Sequence, residues 1–277
     1  MKALPLLLPT LLLASAALAQ APKPAAAPAA NGYDCLIEPN QRIEIRSPAN
    51  ALIDKVLVER GSLVRAGDTL VLLDGSVERE ALEGAKARAD SEAELRVARA
   101  RADYAREKFR RREDLREQNY ITAQDRDESQ AELRVAEAEL ALAVDNRRLA
   151  SIESRRLDAV LRQRALKAPF SGVITDRLQH PGELAFTGEG SRPILKMAQT
   201  HPLRVEVVLP VGMMGQVKAG RAAEITPEAP LKGVWRAQIK VVDSVFDSAS
   251  GSFGVRLELP NPNGEIPAGV RCKVRFL

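Results

Sequence analysis

Short runs of alternating apolar and polar residues bracket a long stretch in which apolar residues recur every three or four positions. Arg42–Arg46 alternates, Ala51–Val58 is rich in Ile, Leu and Val, and Thr69–Leu73 is a compact apolar run, with Gly61 and Gly67 between them. That texture predicts short strands joined by turns. From about Ser76 to about Arg164 the chain has no proline and a single glycine, Gly84, and strong helix formers dominate. Leu95, Ala98, Ala102, Ala105 and Phe109 form one narrow seam, and Leu133, Ala136, Leu140 and Ala143 another. Seams of this width flanked by charge read as coiled coil. The pattern breaks at EQNYITAQD, Glu117–Asp125. Asn119 tolerates a left-handed turn, and Thr122 followed three residues later by Asp125 is a helix-start signal of capping-box type. The spacing predicts two helices of about 40 residues each, folded back as an antiparallel hairpin roughly 60 Å long.

Two phrases flank this helical stretch. RSPANALIDKVLVERG begins at Arg46 and KAPFSGVITDRLQHPG at Lys167, a displacement of 121 positions. Pro48 matches Pro169, Ala51 matches Gly172, Ile53 matches Ile174, Leu57 matches Leu178 and Gly61 matches Gly182. Neither copy is large enough to bury its own apolar face. Packed about a pseudo-twofold axis, the two copies make one small β-sandwich, with the hairpin inserted between its halves and Gly172 and Gly182 expected to hold turns. A single continuous helix would instead separate them by more than roughly 100 Å. After Pro202 the chain is β-like again: Leu203–Leu209, Trp235–Val242, Gly254–Leu259 and Val270–Phe276. Turn signals at Pro227, Ser250-Gly251, Pro260–Gly264 and Pro267–Gly269 separate these runs, which predicts a small β-barrel.

Composition adds shape and compartment. Of 277 residues, 4% are aromatic and 28% charged, thin for one large core and suited to an elongated molecule. The net charge of +4 comes from intermixed acids and bases and gives no case for nucleic-acid binding. Met1-Lys2, the apolar run Ala3–Ala16 and Ala17-Leu18-Ala19 before Gln20 read as a cleaved secretory signal over residues 1–19. The run is short for a bilayer core, which takes about 20 residues, and Pro5 and Pro9 interrupt it. Gln20 rather than a cysteine follows the cleavage site, so the new N-terminus would carry no lipid. Residues 20–34 are a Pro/Ala linker, and no later stretch is long and apolar enough to span a membrane. These features predict a periplasmic protein, soluble or peripherally associated with the inner membrane. Export permits one disulfide, Cys35–Cys272, if the N-terminal segment lies beside the last strand; the alternative is two buried thiols in separate strands.

Catalytic chemistry is hard to find. Gly188-Glu189-Gly190 lacks the Lys-Ser/Thr of a phosphate loop. His180 and His201, the two histidines, have no metal-ligand spacing to another His or Cys. Met213-Met214 reads as packing in a barrel loop rather than a soft-metal site. Arg110–Arg112 is a short basic run near the hairpin turn, suited to acidic groups on a partner or simply to water. No cofactor and no enzymatic activity are expected.

The phrases SPANALIDKVLVERGSLVRAGDTLVLLD, LKAPFSGVITDRLQHPGEL and PNPNGEIPAGVRCKVRF, in this order, resemble the periplasmic adaptor or membrane fusion protein (HlyD) family. The resemblance implies an α+β, elongated, multidomain fold: a lipoyl-like β-sandwich split by a long antiparallel α-helical hairpin and followed by a small β-barrel. It divides the chain into an N-terminal strand and first lipoyl half-motif at 35–75, the hairpin at 76–164, the second half-motif at 165–199 and the barrel at 200–277. It implies an adaptor linking an inner-membrane transporter, of RND type first and ABC type second, to a TolC-like outer-membrane channel, as a homo-oligomer in the assembled complex. In such tips an Arg, a Leu four residues on and a Ser seven further on meet the channel. Arg111, Leu115 and Thr122 have that spacing, with Thr in place of Ser, and Tyr120 also resembles the family tip. Two departures stand out: neither a membrane helix nor a lipidated cysteine is apparent, and no membrane-proximal domain follows the barrel. Two other readings compete. One is an exported coiled-coil scaffold without a transport role. The other is a biotinyl/lipoyl carrier using Lys196-Met197, although a carrier lysine belongs on the hairpin that the helical arm replaces.

Overall fold

The computed structural model describes residues 32–277. The expected signal segment, 1–19, and nearly all of the expected linker, 20–34, lie outside the described residues. The chain builds a split β-sandwich, a helical arm inserted into it and a closed barrel.

The sandwich is where the duplicated phrases meet. The first half supplies β2 (Arg42–Ile45), β3 (Ala51–Val56), β4 (Leu63–Val64) and β5 (Thr69–Leu73); the second supplies β6 (Ala165–Lys167), β7 (Gly172–Arg177), β8 (Leu184–Ala185) and β9 (Leu195–Ala198). The sheets have the orders β2-β9-β7-β4 and β6-β5-β3-β8, so each contains strands of both halves. The crossing is symmetric. Ala51 pairs with Ala185 and Val64 with Gly172; adding the 121-residue displacement to Ala51 and Val64 gives Gly172 and Ala185, so each pair is the other's image. Hydrogen bonds repeat the symmetry: Gly61 N–H donates to Ile174 O and Gly182 N–H to Ile53 O, both at 2.8 Å. Gly61 and Gly182 have φ of 89° and 88°, a left-handed conformation that a side chain would strain. Ile53, Leu70, Ile174, Ile194, Leu195 and Met197 fill the shared core, all buried.

Gly172 does not hold a turn, contrary to the sequence expectation. It is the first residue of β7, and a Cβ there would lie 2.3 Å from the carbonyl oxygen of Ala198. Its glycine is required by close strand approach.

The arm differs from the expected pair of equal helices. Its ascending limb is two helices, α1 (Ser76–Asp90) and α2 (Ala93–Glu117), and only the return, α3 (Ala123–Arg162), is a continuous 40 residues. Ser91 takes an extended conformation (φ −65°, ψ 123°) and ends α1. Asp90 and Ser91 compete for backbone groups and suit helix ends, which is the local signal for the break. The seam is made of small residues: Ala98, Ala102, Ala105, Ala136 and Ala143 are buried, which lets α2 and α3 approach closely. At the root, Arg164 bonds Glu78, holding the Glu78 carboxyl below its usual range through that hydrogen bond, and Leu73 N–H donates to Arg164 O at 2.8 Å.

The barrel closes in the order β1-β10-β13-β12-β11-β14, from β1 (Tyr33–Pro39), β10 (Leu203–Pro210), β11 (Ala222–Pro227), β12 (Trp235–Val242), β13 (Ser252–Leu259) and β14 (Val270–Phe276). Three points depart from the sequence reading. The N-terminal strand belongs to the barrel rather than to the first sandwich half, because it completes closure between β10 and β14. It begins at Tyr33, inside the expected linker. Pro227 is not a turn but the buried last residue of β11, opposite Cys272. Alternate residues of β10, Leu203, Val205, Val207 and Leu209, point inward with Ile37, Ile225, Ile239, Val255, Leu257 and Val274. Cys35 and Cys272 are direct cross-strand neighbours, 4.8 Å apart at Cα, and their sulfurs are bonded. Two chain passages join barrel to sandwich and are bonded to each other: Asn40 N–H to Gln199 O at 3.0 Å and Gln199 N–H to Gln41 O at 2.9 Å. Buried Asn261 braces them, donating from Nδ2 to Thr200 O at 3.1 Å and Ile266 O at 2.9 Å.

Two glycine substitutions separate these effects. Gly172→Ala is expected to lower stability by about 1–3 kcal/mol, because the added methyl meets backbone. Gly84→Ala, within α1 and with open space at its Cβ, is expected to raise it by about 0.5–1 kcal/mol. Denaturant unfolding of both variants checks the pair; equal effects would show that close approach at Gly172 does not matter.

Candidate functional site: the hairpin tip

Arg111, Leu115, Tyr120 and Thr122 all lie at or near the free end of the arm, and backbone hydrogen bonding sets how they are displayed. α2 ends in a Schellman motif. Asn119 takes the left-handed conformation (φ 62°), Tyr120 N–H donates to Leu115 O at 2.8 Å and Asn119 N–H to Arg116 O at 3.0 Å. Asparagine fits because its short polar side chain tolerates that conformation. The motif holds Tyr120 back toward Leu115, and both stay in solvent, 75% and 41% exposed.

Thr122 then starts α3. Asp125 N–H donates to Thr122 Oγ1 at 3.2 Å, Thr122 N–H to Asp125 Oδ2 at 3.1 Å, and the Thr122 hydroxyl to Asp125 Oδ2 at 2.5 Å. The hydroxyl bond and the backbone bond, with the Arg112 charge nearby, hold the Asp125 carboxyl below the usual carboxylate range. Just below the tip, Arg112 Nη1 donates to Asp125 O at 2.9 Å and Arg126 approaches Glu113 at 4.0 Å. The basic run is therefore divided. Arg112 ties the limbs together, while Arg110 and Arg111 are exposed, Arg111 with no carboxylate partner among the described residues. The resulting surface is small and outward: Arg111, Leu115 and Tyr120 display a cation, an aliphatic and an aromatic side chain around a rigid turn.

The other singled-out residues lie elsewhere. Lys196 is within β9 and pairs with Glu44 at 3.5 Å, not on an exposed hairpin as a carrier lysine would be. His201 Nδ1 accepts from Asn261 N–H at 3.0 Å, a structural role, and His180 sits in the turn before β8. Met213 packs against the barrel core. Sequence reasoning missed the Schellman geometry, whose signal was Asn119 beside the helix end.

Comparison with known proteins places this architecture. Residues 203–277 match the CusB-like β-barrel domain family. Over 244 residues the chain is 25% identical to the multidrug resistance protein MdtE of Escherichia coli K12, covering 84% of this chain and 60% of MdtE. It is 29% identical over 187 residues to the nickel and cobalt resistance protein CnrB of Cupriavidus metallidurans, covering 68% and 43%. The barrel belongs to the CusB-like family. Among solved structures, MacA from Actinobacillus actinomycetemcomitans shares the fold of this chain, with a TM-score of 0.74, 22% identity, and coverage of 88% of this chain and 77% of MacA. The membrane fusion protein Spr0693 of Streptococcus pneumoniae R6 shares it with a TM-score of 0.62 and 13% identity, covering 88% and 97%. The chain thus spans little more than half the length of MdtE and less than half of CnrB.

Because the Asp125 pKa is depressed, its cap stabilises α3 above the ordinary carboxylate range, and that stability is lost as pH falls through the depressed value. Thr122→Ala is expected to move the Asp125 titration upward and speed amide exchange in the first turn of α3, while Thr122→Ser keeps both. Carboxyl NMR titration with hydrogen exchange checks it; unchanged exchange in Thr122→Ala means the cap does not hold the tip.

Proposed function

We infer that this protein is a periplasmic adaptor of the membrane fusion protein family, joining an inner-membrane transporter to a TolC-like outer-membrane channel for efflux or secretion. The observation that carries the reading is the placement of Leu115 and Tyr120. Two apolar side chains stand in solvent on a rigid turn, at the end of an arm whose return helix spans roughly 60 Å. Exposed apolar groups held rigidly at the extremity of a spacer suit a docking tip. Arg111 and Thr122 flank them as a charge and a hydroxyl for partner acceptors.

The disulfide suits an oxidising compartment, and no described helix is long and apolar enough to cross a membrane. The barrel, joined to the sandwich through Asn40, Gln41 and Gln199 rather than through the root of the arm, is the part facing the transporter. The CusB-like barrel match favours an RND partner over an ABC one. The names of MdtE and CnrB, a multidrug and a nickel and cobalt resistance protein, make drugs and divalent metals the first cargo classes to test. The adaptor is non-enzymatic: its partner supplies the energy, and its own parts supply span and stiffness.

Leu115→Asp and Arg111→Asp are expected to abolish binding to the channel and to sensitise the native host to exported drugs or metals, with helix content and melting unchanged. Cross-linking to the channel and growth across a panel of antibiotics and divalent metals measure this. Normal cross-linking and growth in both variants would show that the tip is not the docking surface.

A further inference from the structure

β1 is the odd strand of the barrel. The other five, β10 to β14, follow one another within residues 203–276, whereas the sandwich and the arm separate β1 from them. Those five are bonded in the order β10-β13-β12-β11-β14, so they form one continuous sheet without β1. β1 turns that sheet into a barrel by bridging its two edges, pairing through residues 35–39 with β10 and through residues 33–37 with β14. Its downstream end is clamped. Asn40 bonds Gln199 through backbone and side chain, at 3.0 and 2.8 Å, and half-buried Glu38 pairs with Arg204 at 2.9 Å. Its upstream end is held by less. Tyr33 and Asp34 have a partner strand on the β14 side alone. Asp34–Lys273 is an exposed ion pair of little worth, and Tyr33 leans on the Phe276 ring at 6.2 Å. At that end stands Cys35, bonded to Cys272 across the seam.

We propose that the Cys35–Cys272 bond is a redox latch on the barrel. Oxidised, it holds β1 in the seam; reduced, it lets β1 peel from its upstream end and leaves an open five-stranded sheet. The two cysteines are the only ones in the chain, and both belong to the barrel core, at 7% and 1% exposure. A reagent therefore reaches the sulfurs only when β1 swings out, which ties chemistry at the pair to opening of the seam. Cys35 and Ile37 are the buried members that β1 gives to that core, a thin apolar hold for a strand with no hairpin neighbour. The remaining five strands stay bonded to one another, and their edges β10 and β14 are what closure has to cover. Closure is a balanced exchange with a disulfide-bearing oxidant. The Cys35 thiolate, on the strand that swings, attacks the oxidant's disulfide and expels one thiolate. The Cys272 thiolate then attacks Cys35 Sγ and expels the second. One disulfide forms, the oxidant's disulfide is reduced to two thiols, and the two cysteine protons end on those thiols. The latch couples barrel closure to the thiol–disulfide poise of the compartment and does not depend on the transport reading.

Hydrogen exchange read by mass spectrometry tests this on the oxidised chain, the chain reduced with dithiothreitol, and the double variant Cys35→Ala, Cys272→Ala. Exchange across residues 33–39 is expected to speed by roughly tenfold or more in the reduced chain and in the double variant. β12, at the middle of the five-stranded sheet, and β7 and α3 outside the barrel are expected to keep their protection. Glutathione disulfide added to the reduced wild type is expected to restore protection of β1, with no response from the double variant. In Cys272→Ala, Cys35 is expected to take up a maleimide under native conditions. The proposal is overturned by β1 protection that reduction and the double variant leave unchanged, or by free thiols in chain isolated without reductant. Loss of protection that spreads to β12 also overturns it, because the bond is then a general staple of the barrel. So does a Cys35 that stays unreactive in Cys272→Ala.

Discussion

The molecule depends on one crossed pairing. β3 of the first half pairs with β8 of the second, and β4 of the first with β7 of the second. Neither half can form without the other, because each sheet draws strands from both. The chain must therefore leave the sandwich after β5 and return at β6, and a helical hairpin is the element that ends where it began. Its long-range contacts come after closure of a loop of roughly 90 residues, a modest entropic cost because closure entropy grows only with the logarithm of length. The hairpin lowers even that cost, since local helix formation brings the two halves together.

From this block the arm and the barrel leave by different kinds of joint. The arm is rooted by the Arg164–Glu78 pair and by the Leu73–Arg164 backbone bond. The barrel hangs on two chain passages bonded to each other through Asn40, Gln41 and Gln199 and braced by Asn261. Paired passages resist twisting more than a single linker does, while the break at Ser91 gives the ascending limb an interruption that the return limb lacks. MacA shares this fold at 22% identity, so most of its residue identities differ while the architecture is kept.

At the tip, structural and displayed roles fall on the same residues. Thr122 is an N-cap and Leu115 contributes a carbonyl to the Schellman bond, yet both face solvent. A tip has no core to hold it, so its conformation must come from local hydrogen bonds, and those bonds decide which side chains project. Below it, small alanines in the seam keep the limbs close and push larger apolar groups such as Leu142 and Tyr104 onto the outer face.

The chain alone determined what depends on local pattern and on repetition. Period-two and heptad texture, the displaced copies, Asn119 with Thr122 and Asp125, and the turn glycines made the sandwich, the arm and most of the barrel legible, since these signals act within a few residues or between matching phrases. Tertiary structure decided what depends on partners distant in sequence. β1 joins the barrel because closure needs a strand between β10 and β14, and nothing within residues 33–39 states that need. Gly172 is required by the carbonyl of Ala198, 26 positions away, and Pro227 is a strand end because it lies opposite Cys272. Exposed Val97, Tyr104, Val135 and Leu142 became a face only when α2 and α3 were laid side by side, because a face shared by two helices belongs to neither helix's own period.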